Sequence, residues 1–90
     1  MQITKKIPNK FSVQYNPEFL IIAILGRRLM TVKAAVKEMG ISRTHWIRIT
    51  SGEAIGYLAW AKIKRWVETN KHLLSTAKEL ALLEEYEKIA

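Results

Sequence analysis

There is no cysteine in the 90-residue chain, which excludes a disulfide framework, a thiolate metal site and a thiol nucleophile. The two histidines, His45 and His72, stand far apart without metal-ligand spacing, so neither a metal nor another cofactor is expected. The four glycines are scattered singly, leaving no Gly-rich phosphate loop. No paired carboxylates fall in a cleft pattern, and no Ser-His-Asp set has recognisable context. An enzyme is therefore not expected, and no small-molecule pocket is evident. The longest apolar run, Phe19 to Leu25, is far shorter than the roughly 20 residues a bilayer span needs. The first residues lack the charged, apolar, small-residue order of a signal peptide, so the expected location is cytoplasmic and not membrane-bound.

Acid is scarce too. Eight Asp or Glu against fifteen Lys or Arg give a net charge of +7, which points to a polyanionic partner, nucleic acid before membrane surface. The excess is uneven: residues 1–52 hold nine bases against two acids, residues 53–72 four against two, and residues 73–90 two against four. The acidic tail is the segment expected to face away from a polyanion.

Ninety residues make one small domain whose core gains from oligomerisation. Residues 1–15, with Lys5, Lys6 and Lys10 around Pro8 and an alternation of Phe11, Val13 and Tyr15, read as a basic arm or a short hairpin turning at Pro8. Asn16-Pro17-Glu18 supplies a cap, a first-turn proline and a dipole-matched acid, predicting a helix over about 17–29. Thr31 caps a second helix in which Val32, Ala35, Val36 and Met39 recur at helical spacing, until Gly40 ends it. Ser42 caps a third that runs to about Thr50, closed by Ser51-Gly52. A fourth is expected over about 53–69, burying Ile55, Leu58, Ala59, Ala61, Trp66 and Val67 and tolerating Gly56 at about 1 kcal/mol. Thr76 with Glu79 three residues on is a capping box for a fifth helix, whose apolar line is Ala77, Leu80, Leu83 and Tyr86. The fold class expected is all-α, a bundle of about five helices.

Residues 31–52, "TVKAAVKEMGISRTHWIRITSG", resemble without a gap the helix-turn-helix core of the phage repressor and Cro family. Thr31, Gly40, Ser42 and Gly52 fall at that family's punctuation points, and Ala35, Met39, Ile41, Trp46 and Ile49 at its buried ones. The resemblance implies a lambda-repressor-like domain over residues 16–72 that places helix 42–50 in the major groove of DNA. It also implies that Arg43, Thr44, Ile47 and Arg48 read bases.

The residues themselves argue in the same direction. At 3.6 residues per turn Arg43 and Ile47 share one line and Thr44 and Arg48 the next, while Trp46 and Ile49 face inward. Arg bonds guanine bidentately, Thr reaches base edges or phosphate, and an apolar side chain touches the thymine methyl. Ser42 at the helix start, His45, Lys33, Lys37, Arg27 and Arg28 are the candidate phosphate contacts, although each Lys or Arg alone resembles an ordinary solvated charge. Trp60 and Trp66, with Lys62, Lys64 and Arg65 between, suggest stacking on single strands, but their helical spacing favours core packing.

One short helix reads few base pairs, so a homodimer on an inverted-repeat operator is expected, with Leu80, Leu83 and Tyr86 of the tail 73–90 as its interface. The function expected is a sequence-specific double-stranded DNA-binding regulator, a small repressor of phage or prokaryotic type. The alternatives are a helix-turn-helix interaction module, antitoxin-like or like a phage terminase small subunit, and an RNA or single-strand binder.

Overall fold

In a computed structural model of the chain, the described residues are 15–90 together with the backbone of Ser12 and Val13. The arm or hairpin expected over residues 1–15 otherwise lies outside them. The described residues form an all-α bundle of five helices: α1 (Glu18–Arg28), α2 (Val32–Met39), α3 (Arg43–Thr50), α4 (Tyr57–Asn70) and α5 (Ala77–Ile89), with a 3-10 turn at Lys71–Leu73. Two short strands, β1 (Ser12–Val13) and β2 (Ile55–Gly56), pair antiparallel, Ser12 opposite Gly56 and Val13 opposite Ile55.

Local chemistry sets the helix ends. The Glu18 amide donates to Asn16 Oδ1 at 3.0 Å, and the Thr31 hydroxyl accepts from the Ala34 amide at 3.1 Å. At Thr76 the capping box is complete: Glu79 N donates to Thr76 Oγ1 while Thr76 N donates to Glu79 Oε1. The fourth helix starts four residues later than its sequence suggests. Ile55 and Gly56 are held extended by β1, so Gly56 sits at the N-cap and carries no mid-helix penalty. The buried stripe of α4 is accordingly Ala59, Trp60, Ile63, Trp66 and Val67; Leu58, expected inside, is 85% exposed, and Ala61 is exposed as well.

Leu20, Ile21 and Ile24 of α1 meet Ala35 and Met39 of α2, Ile49 of α3, Ile63 and Val67 of α4 and Tyr86 of α5 in one continuous core. Tyr86 has no exposed surface and packs its ring 6.0 Å from Trp60 and 6.5 Å from Tyr15. Its hydroxyl donates to Glu68 Oε2 at 2.8 Å. This corrects the expected interface: Tyr86 is a core residue of its own subunit, and Leu83 packs half-buried against the same core, leaving only Leu80 of that trio exposed. The reason is a rotation of the helix. Glu79, Leu82, Leu83 and Tyr86 form its inward face, so Ala77 and Leu80 point out.

Candidate nucleic-acid interface

The turn between α2 and α3 is built by one glycine and a pair of amides. Gly40 adopts φ 81°, a left-handed conformation that costs a side-chain-bearing residue about 1 kcal/mol or more. Its amide donates to Lys37 O, and the Ile41 amide donates to Val36 O at 3.2 Å, so two carbonyls at the end of α2 are satisfied. Ile41 is buried beneath the turn, and Lys62 Nζ of α4 donates to Gly40 O at 3.1 Å from above. Sequence reading gave Lys62 no such role, because a contact 22 residues away has no local signature.

The start of α3 is fixed by Ser42, whose Oγ accepts from the His45 amide at 3.2 Å, while Ser42 N donates to His45 Nδ1 at 3.3 Å. A histidine thus fills the place that Glu or Gln takes in the usual capping box. The end of α3 repeats the device of α2. Gly52 sits at φ 76°, its amide bonded to Ile49 O, and Glu53 N donates to Arg48 O at 3.0 Å. Ile49 is buried and Trp46 half-buried behind the helix, so the rod is anchored at both ends and along its back.

What remains outward is the set picked out by spacing. Arg43, Thr44, Ile47 and Arg48 are all exposed, Ile47 at 54%. Among the described residues neither Arg43 nor Arg48 enters an ion pair. Lys33 of α2 joins Arg43 and Trp46 along a concavity between α2 and α3, which brings one expected phosphate contact beside the residues expected to read bases. Lys37 is exposed one turn farther along α2.

Arg27 and Arg28 are engaged elsewhere. Arg27 grips Glu79 of α5 through Nε at 2.8 Å and Nη2 at 2.5 Å, and also donates to Ser75 Oγ. Arg28 pairs with Glu38 of α2 and donates to Asn70 Oδ1 at 3.2 Å, while Trp66 Nε1 donates to the same Glu38 at 2.7 Å. Both guanidiniums therefore tie α1 to its neighbours instead of extending the cationic face. The Arg27 bond, aided by the Ser75 and Thr76 amides, holds the Glu79 carboxyl well below the usual carboxylate range. The Arg28 and Trp66 bonds likewise lower that of Glu38. No family model, curated protein or solved structure matches this chain.

Among the described residues no group of three or more His, Cys, Asp or Glu side chains is placed to hold a metal ion, and no helix is long and apolar enough to cross a membrane. Trp60 and Trp66 are buried in the core, which removes the aromatic faces that a single-strand stacking reading requires.

Proposed function

We propose that the chain is a sequence-specific double-stranded DNA-binding regulator of the phage repressor and Cro type, acting by binding and not by catalysis. The observation that carries this reading is the outward face of α3, where Arg43, Thr44, Ile47 and Arg48 stand exposed on a helix capped at both ends. A braced, exposed helix of this width fits a major groove, and its guanidiniums reach base edges without first breaking an internal pair. Lys33, Lys37 and the N-terminus of α3 at Ser42 supply phosphate contacts, and the net charge of +7 supplies the sequence-independent attraction.

Selection of bound duplexes from a random pool tests the reading. The expected result is enrichment of one short motif, arranged as half-sites about one helical turn apart if two chains bind together. A pool that fails to converge contradicts it. The alternative of an interaction module draws support from a separate observation, the exposed Phe19 and Ile22 on α1, which lie apart from the cationic helix.

A further inference from the structure

α1 has two apolar faces. Leu20, Ile21, Ile24 and Leu25 enter the core, yet Phe19, Ile22, Ala23 and Gly26 recur at i, i+3, i+4 and i+7 on the opposite side. Phe19 is 67% exposed and Ile22 43%, so this second seam meets water. Gly26 weakens the helix interior relative to alanine, and a Cβ placed there would meet nothing within 4 Å. Among the described residues nothing makes use of the bare backbone. Leu82 and Lys78 of α5 flank the same seam, forming a groove with Phe19, Ile22 and Ala23. Two turns along that edge from Lys78 stands Glu85, next in sequence to Tyr86, whose ring lies 6.5 Å from that of Tyr15 just ahead of α1. The acidic end of the rim therefore lies by the start of α1, and the basic end by its finish, where Glu79 holds Arg27.

We propose that this α1–α5 face pairs with a second copy of the chain, α1 antiparallel to α1, about a twofold axis passing between Ile22 and Ala23. In that arrangement Phe19 of each copy lies over Gly26 of the other, large against small, and Ile22 of each meets Ala23 of the other. Lys78 of each rim comes alongside Glu85 of the other, and the two helix dipoles oppose. A parallel arrangement instead sets Phe19 on Phe19 and carries the two α5 rims to opposite flanks, so the Lys78–Glu85 pairing is lost. The seam is short, so the interface falls at the small end of specific contacts, below about 1,200 Å², and its dissociation constant is on the order of micromolar.

The test is sedimentation equilibrium of the full chain without DNA, from about 1 μM to about 1 mM, the range in which such an interface dissociates. The wild type is expected to pass from monomer to dimer. Phe19→Ser and Gly26→Gln each lower the association constant about tenfold or more while helicity is retained, and Gly26→Gln raises the melting temperature of the monomer at the same time. Lys78→Glu weakens association about fivefold, and adding Glu85→Lys restores it. A chain that stays monomeric throughout overturns the proposal. A dimer indifferent to Phe19 and Gly26, or a charge swap that fails to restore association, overturns it equally. DNA is absent from every arm, so the outcome is independent of the base-reading role of α3.

Discussion

Removing the Tyr86 side chain tests whether α5 is part of the domain or an appendage to it. Replacing a fully buried aromatic with alanine costs about 3–5 kcal/mol when the surroundings cannot collapse. Three structural terms place Tyr86→Ala toward the upper part of that span. Two tilted aromatic contacts, to Trp60 and Tyr15, contribute about 0.5–1.5 kcal/mol each beyond area. The hydroxyl bond to the half-exposed Glu68 carboxylate adds about 1 kcal/mol. Small domains unfold at about 5–15 kcal/mol, and each kcal/mol moves the midpoint of a domain this size by about 4–8 °C. Tyr86→Ala is therefore expected to lower the thermal midpoint by about 15 °C or more, or to unfold the chain at room temperature. Tyr86→Phe, which keeps the ring, loses only the hydroxyl share of about 1 kcal/mol. Circular dichroism melts over a hundredfold range of protein concentration provide the readout. A loss under about 1 kcal/mol for Tyr86→Ala, or a loss that scales with concentration, refutes the intrasubunit role and returns Tyr86 to an interface.

Local geometry sets four further outcomes. Leu29 holds φ 51° at 92% exposure, so Leu29→Gly relieves left-handed strain without losing packing and is expected to stabilise the fold by about 0.5–1 kcal/mol in urea titration. Ser42→Ala removes the acceptor of the His45 amide at the start of α3 and costs about 1 kcal/mol, with duplex affinity falling in parallel as the helix frays. Glu38, Glu68 and Glu79 all have lowered folded-state pKa values, from the bonds of Arg28, Lys71 and Arg27 respectively. Their stabilisation is present above the ordinary carboxylate range and lost as pH falls below about 4, so melts between neutral and acid pH drop there, and Glu79→Gln flattens the drop. At the other extreme burial raises the Tyr15 phenol to about 12 and raises that of Tyr86 too. Their contribution is intact below about 10 and disappears as pH climbs through the folded-state values.

The parts of this protein visible in its sequence are those decided by near neighbours. Thr31, Gly40, Ser42, Gly52, Thr76 and Glu79 act within four residues of themselves, and the helices they punctuate stand where those residues put them. The face of α3 followed from helical period alone, because a short rod with buried Ile49 must turn Arg43, Thr44, Ile47 and Arg48 outward. The remainder depended on distant partners. The start of α4 was set by β1, more than forty residues earlier, which pulled Ile55 and Gly56 out of the helix and changed which residues of α4 are inside. Arg27 and Arg28 looked like free cations until Glu79 and Glu38 were brought to them by the packing of α5 and α2 on α1. Tyr86 looked like a member of an exposed apolar line because the rotation of α5 is fixed by Trp60 and Tyr15, not by its own sequence.

In the proposed function α3 distinguishes base sequences through its guanidiniums. Fluorescence anisotropy at fixed salt, comparing the selected duplex with a scrambled one for the wild type, Arg43→Ala and Arg48→Ala, tests it most directly. Each substitution is expected to remove about 1–3 kcal/mol of the wild-type preference for the selected duplex, while binding to the scrambled one weakens only slightly. A wild type with no preference between the two, or variants that discriminate as well as it does, rules out base reading by Arg43 and Arg48.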